Sequence, residues 1–592
     1  MKSAVTMPES APPFVLQMAP PTPHHPAVHA PPPQSEAHFT AMMFLAVPLG
    51  YLWGQVPAKS SMAGVPSRHL VSVLLGVAIT GCLWGLNGLL SVLLPALLVH
   101  VVAAADPARA RGWAWVLTFP ALIACHKLRD SDRAWAAGDI DHTGALMILA
   151  LKLVSLGSAW QEGASVDFET KEVKSSDTAL RAAPTVVETL SFALMGPNNL
   201  VGPATEPRPF FDWASPPKTT AKTAPSVEGQ WRYFGACLLR VAFWLGVHFA
   251  VGGMFPLDDM RDLTNFRLTR WAEARSAWRI TLGWVPLGPL APLVRLAGEV
   301  LRAIPPALLA KAPGQRSVQW LARFLQRCAN ANEFPVVMVS NFYKLMHGGG
   351  YVVLHVCSQF FAMWSLAEAA MVAAGVSRVA GKTARAAPSW GRFNNYDAVK
   401  LFTSTAPHRM AAHWNKGTNA FLRRHVYERT FLSSATGLPT AMSLIASLVV
   451  SAAWHGLSPG QWAFFLSLVL VFEAGKAIYR RQASLERIAA AAPAGGGDDD
   501  DDGPVDLRWT VRMLLDLVLS AGGRAEVLAW CCRWFNLLLV VLTVCQVGPL
   551  FHCGSWPHTA TVGLDFYWAV QWLSLLTLLG AAILPAPKAG RK

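Results

Sequence analysis

The feature that most constrains this chain is the length of its uncharged apolar runs. Residues 70–105 contain no acid, lysine or arginine, and a single membrane crossing needs only about 20 residues. The run predicts two spans, with Gly85-Leu86-Asn87-Gly88 as the turn of a tight helical hairpin. Further apolar blocks cover 112–127, 231–255, 334–376, 462–479, 513–519, 527–550 and 562–584. A first block, 39–56, is short for a span and is expected to tilt or to lie at the interface. With 53% hydrophobic residues and 24 tryptophans in 592 positions, the pattern predicts a polytopic all-α membrane protein of roughly nine to eleven spans.

Residues 1–37 are rich in Pro, Ala and His and hold no block able to form a core, so they read as a disordered tail. Pro8, Pro12, Pro13, Pro20 and Pro21 interrupt any signal-peptide centre, and His24, His25 and His29 read as solvated rather than metal-binding. Residues 38–584 are taken as one membrane domain, with 490–506 as a flexible acidic loop and 585–592 as a short basic tail. The net charge of +14 arises mainly between apolar blocks. Cytosolic loops beside membrane lipids or phosphates explain it, and nucleic acid is not an expected partner. The nine cysteines are scattered without metal-ligand spacing or a disulfide framework, and Cys531-Cys532 is expected to pack in a helical core.

The polar residues inside this apolar frame mark the candidate site. His455 ends the run from 438, in Trp454-His455-Gly456, and an imidazole near membrane depth is costly and by default functional. Forty positions upstream stands Trp414-Asn415-Lys416-Gly417, followed by Arg423-Arg424-His425-Val426-Tyr427. In 190–203 the Gly196-Pro197 and Gly202-Pro203 pairs break regular helix, which at membrane depth is tolerated only where protein or a water-filled cavity satisfies the backbone. A re-entrant segment and a kinked helix both fit. Asp141 or Thr143 is expected to cap the helix that carries Lys152, itself expected to snorkel or to pair internally. Residues 261–279 suggest an interfacial helix, and prolines leave the topology of 280–309 open. Gly348-Gly349-Gly350 lacks a phosphate-loop context and reads as a helix break. The basic stretch 377–430 reads mostly as a cytoplasmic loop.

The Trp-Asn with its basic-aromatic continuation and the later Trp-His-Gly, in this order and at this separation, resemble the membrane-bound O-acyltransferase family. The Thr143-Gly144…Met147…Lys152-Leu153 segment and Leu200-Val201-Gly202-Pro203, with the aromatic Pro209-Phe210-Phe211-Asp212-Trp213 after it, are similar to its lysophospholipid acyltransferase branch. Lys416-Gly417 departs from that branch, which commonly has an aliphatic residue after the Trp-Asn.

The resemblance implies a bundle with re-entrant or interfacial segments in the endoplasmic reticulum membrane, with Asn415 and His455 as catalytic residues. Its substrates would be acyl-CoA, as co-substrate without any bound cofactor or metal, and a lysophospholipid. Trp414, Lys416, Arg423, Arg424, Tyr427, Trp454, Asn199, Gly202 and Pro203 are candidates for substrate contact, the basic ones for the phosphates of acyl-CoA. His455 would act as general base on the acceptor hydroxyl, and the role of Asn415 stays open between imidazole, hydroxyl and thioester carbonyl. Ser451 lies in an ordinary apolar helix with no nucleophile elbow. An acyltransferase for a sterol, diacylglycerol or protein acceptor is the nearest alternative, and a transporter the alternative of a different class. Assembly as a homo-oligomer is left open.

Overall fold

The computed structural model describes residues 36–129, 142–165, 178–254, 354–491, 521–544 and 569–583, apart from residues 197, 217–226, 380–386, 435 and 438. The tail before residue 36, Asp141, the segment 261–309, the glycine-rich break at 344–350, the acidic run, the block 513–519 and the basic end lie outside the described residues.

Among the described residues the architecture is helical, with one small antiparallel strand pair, Ser61–Met62 with Val65–Pro66, and two isolated antiparallel bridges, Val379 with Ser389 and Leu432 with Pro439. Six helices among the described residues are long and apolar enough to cross a membrane, so the chain is a multi-pass membrane protein. Helix α1 is Glu36–Gln55 and α2 is Ser67–Ala105. The helical run of α2 is broken at Gly85, with φ 61° and ψ −157°. At 1.5 Å per residue a straight helix would separate His69 from His100 by about 46 Å. Yet His69 Nδ1 lies 2.6 Å from Ser191 Oγ, and His100 Nδ1 lies 2.9 Å from Thr189 Oγ1, two residues away. The arms therefore fold back on one another, as the sequence predicts.

Helix α3 (Ala110–Arg129) packs along α4 (Thr143–Ala164). The most apolar window of α4 is 94% buried, against 22% in Gln230–Val251 and 28% in Arg524–Leu542. A helix covered on all sides is the centre of the bundle, and α4 is that helix. Its cap differs from expectation: His142 holds the N-cap position without a side-chain cap bond. Thr143 is already helical, and its hydroxyl faces Cys125 Sγ of α3 at 3.7 Å. Lys152 is fully buried and donates to Ala193 O at 3.0 Å beside the Phe192 ring. It is paired internally and does not snorkel.

The broken segment folds as three short helices, α5 (Val186–Ala193), α6 (Asn198–Val201) and α7 (Pro207–Ala214). None is long enough to span, and they pack on α2 and α4. Thr185 and Glu188 close a capping box at the start of α5.

Helix α8 (Gln230–Met254) pairs with α9 (Cys357–Ala373), and α1 lies on the other side of α9. A Cβ at Gly50 or Gly54 would come within 2.6 Å of Ala370 O and 2.7 Å of Ala374 O respectively. Small residues let these backbones approach, the usual means of helix association in lipid.

The basic stretch folds onto the body as α10 (Ala398–Thr403), α11 (Pro407–Ala411), α12 (Lys416–Leu422) and a π-turn over Arg423–Tyr427. Trp390, Phe393 and Tyr396 are buried and anchor it. The chain continues as α13 (Ala441–His455), α14 (Pro459–Ala491), α15 (Ala521–Leu542) and α16 (Ala569–Ile583). The Cys531-Cys532 pair does not pack as a pair, since Cys531 is exposed and Cys532 half-buried. The inner face of α15 runs through Cys532, Phe535 and Leu539 against Ala474 and Ile478, which turns Cys531 outward.

Candidate active site

Asn415 is the N-cap of α12 and adopts φ 43°, ψ 57°, in the left-handed region. Asparagine tolerates that conformation better than most residues because its short amide can bond locally. Two donors converge on its Oδ1: Thr418 N at 3.5 Å and Asn395 Nδ2 at 3.1 Å. The orientation of Asn395 is set in turn by the Gly417 N–H, which donates to Asn395 Oδ1 at 2.9 Å. With its oxygen occupied, the chemistry left to the Asn415 amide is that of an N–H donor.

The neighbouring Lys416 donates its ammonium to Asn394 Oδ1 and its backbone N–H to Asn395 O at 2.8 Å. Burial, set against the pull of Glu368 and Asp397, lowers the Lys416 ammonium from its ordinary value. Gly417 is held against the broken segment, where a Cβ would meet Pro203 Cβ at 2.5 Å and Ala204 O at 2.8 Å. The Trp-Asn and Gly-Pro motifs, more than two hundred positions apart, thus meet in space.

His455 is the last residue of α13, which ends at Gly456 with φ 130°. Its imidazole stacks on Phe465 with ring centroids 5.2 Å apart and meets the edge of Trp454 at 4.6 Å. Trp454 Nε1 donates to Met147 O of α4 at 2.7 Å, and Trp454 O accepts from His126 Nε2 of α3 at 3.2 Å. Helix α12 packs on both α13 and α4, and Phe421, Met147 and Trp454 share one core. The two motif residues therefore stand on adjacent elements around the central helix.

The other candidates sort by their partners. Trp414 is clasped by Trp364, Phe361 and Phe360 of α9, and Tyr427 packs against the cluster of Leu444 and Phe465. Asn199 is 1% exposed, and neither atom of its amide has a hydrogen-bond partner among the described residues. Gly202 and Pro203 are joined by a cis peptide bond. The three basic residues do not converge on one point. Arg423 is exposed and pairs with Glu428 at 2.6 Å, Arg424 pairs with Glu162 at 3.2 Å and also meets Thr178, and Lys416 turns to Asn394.

Sequence reasoning passed over Asn394, Asn395, His126 and Glu368. Glu368 is 1% exposed in α9 and takes Arg240 Nη2 at 2.9 Å, Tyr233 OH at 2.8 Å and Asn394 Nδ2 at 3.3 Å. The only acid of α9 and an arginine in the middle of α8 were the readable signal of that pair. For Asn395 the only local signal was an Asn-Asn doublet between buried aromatics.

Fold and sequence pattern together define a multi-pass helical membrane protein with a polar centre between its helices. The chain belongs to the membrane-bound O-acyltransferase family, whose family model matches residues 113–487; it is an O-acyltransferase. It is 24% identical to "Lysophospholipid acyltransferase 2" of Arabidopsis thaliana, over 76% of this chain and 79% of the relative. It is also 21% identical to "Membrane-bound glycerophospholipid O-acyltransferase 1" of Mus musculus, over 75% of this chain and 76% of that one. A shorter match, 32% identical over 20% of this chain and 21% of the relative, is to "Membrane-bound glycerophospholipid O-acyltransferase 2" of Homo sapiens.

Proposed function

We propose that this chain reacylates lysophospholipids from acyl-CoA in the endoplasmic reticulum membrane, with His455 and Asn415 as its catalytic residues. The observation that carries the reading is their placement on the packed elements α12 and α13 around α4. The names borne by relatives that match about three quarters of the chain support the substrate class.

An alcohol is a weak nucleophile at neutral pH, and an imidazole with an unperturbed pKa of about 6.5 is suited to take its proton. His455 removes the proton from the lysophospholipid hydroxyl as its oxygen attacks the thioester carbonyl carbon. The carbon–sulfur bond then breaks, and the departing coenzyme A thiolate takes the proton back from the imidazolium. No acyl-enzyme is formed. Asn415, whose oxygen is occupied by Asn395 and Thr418, donates its N–H to the carbonyl oxygen as charge develops there. Phe465 and Trp454 hold the imidazole plane.

The test is acyl transfer from labelled oleoyl-CoA in membranes expressing the full chain, with a panel of lysophospholipids and membranes lacking the chain as background. Transfer above background to at least one head group is expected. Transfer only to a sterol, diacylglycerol or protein acceptor would overturn the substrate class and leave the acyl-transfer chemistry standing.

A further inference from the structure

The ion pair between half-buried Arg240 and fully buried Glu368 connects, through Asn394, to the loop that carries Asn415. Taking charges out of water to pair them between membrane helices is costly, so a pair retained there calls for a reason. Glu368 holds Asn394 Nδ2, Asn394 Oδ1 receives the Lys416 ammonium, and the next residue, Asn395, is 1% exposed and binds the loop at three points. Its carbonyl takes Lys416 N–H, its Oδ1 takes Gly417 N–H, and its Nδ2 donates to Asn415 Oδ1. Asn415 cannot turn its amide over without facing its own N–H₂ toward that of Asn395 and toward the Thr418 N–H.

From this we infer that Asn395 is a positioning residue: it fixes which end of the Asn415 amide faces the reaction, and the Arg240–Glu368–Asn394 chain holds it in place. The inference rests on the reading of Asn415 as a donor in acyl transfer. Asn395→Asp is nearly isosteric and still accepts the Gly417 N–H, but it has no donor for Asn415 Oδ1. The Asn415 amide then turns over, to give its N–H₂ to the new carboxylate.

The experiment measures acyl transfer in membranes carrying the full-length chain, from labelled oleoyl-CoA to the lysophospholipid that accepts best. Rates are taken per folded molecule, counted by fluorescence-detected size exclusion. Asn395→Asp is expected to lower kcat by about 10²-fold, within the range for loss of an oriented oxyanion donor, with the KM for oleoyl-CoA held within twofold. Asn395→Ser is run beside it in case the aspartate folds poorly, and the same kcat-against-KM split is expected. On an Asn415→Ala background, Asn395→Asp is expected to change the residual rate by less than twofold. A kcat above half of the parent's for both Asn395 variants overturns the inference, as does a rise in KM without loss of kcat, or an undiminished loss on the Asn415→Ala background. Full activity of Asn415→Ala alone would instead overturn the reading of Asn415 on which the inference rests.

Discussion

Trp454 donates its indole N–H to the backbone carbonyl of Met147 at 2.7 Å, tying α13 to the central helix one residue before His455. Trp454→Phe keeps an aromatic ring there and deletes the bond. Such bonds between membrane helices contribute about 0.6 kcal/mol on average and up to about 1.7, so thermal stability of the solubilised protein should fall only slightly. The rate per folded molecule should fall further, by about tenfold, because small misplacement of a general base is costly.

Asn199 gives the opposite balance. Its amide is buried without a partner among the described residues, and an unsatisfied buried polar group costs about 1–3 kcal/mol. Asn199→Ala should therefore leave thermal stability unchanged or raised. If the amide meets a substrate, the variant raises the KM for acyl-CoA or for lysophospholipid, and titrating each in turn shows which. A loss of stability with unchanged kinetics would make Asn199 a structural residue.

Gly417→Ala tests the contact between the two motifs. Alanine favours helix by about 1 kcal/mol over glycine, yet its Cβ would press on Pro203 Cβ at 2.5 Å and on Ala204 O at 2.8 Å. The loop must shift and Asn415 with it. Acyl transfer is expected to drop more than tenfold with near-normal protein abundance, measured by blot and labelled oleate incorporation.

The Arg240–Glu368 pair sets a stability prediction. Arg240→Met leaves Glu368 buried and without its cation, a change that typically costs about 3–5 kcal/mol. The double variant Arg240→Met with Glu368→Met should regain most of that loss, because neither charge then remains in the apolar interior. Thermal unfolding of the three proteins in detergent checks the order.

What was legible in the sequence follows from the length scale of the signal. Spans such as α8 and α14 announce themselves because lipid demands long apolar runs, and the hairpin at Gly85 because one run was too long for one crossing. Asn415 and His455 were legible as polar residues set in or beside such runs. The bonds that orient them were not, because Asn395 lies in a segment without periodicity whose partners come from the fold. The same holds for the basic residues. Their sequence places them beside Asn415, but their partners come from the fold: Glu162 for Arg424 and Glu428 for Arg423.

The central claim is tested most directly by acyl transfer from labelled oleoyl-CoA in membranes carrying His455→Ala at matched abundance, beside the parent chain. A general base contributes about 10²–10⁴-fold in rate, so transfer should fall to within background of membranes lacking the protein. Transfer by the variant at more than a tenth of the parent rate would contradict the account and remove His455 from the chemistry.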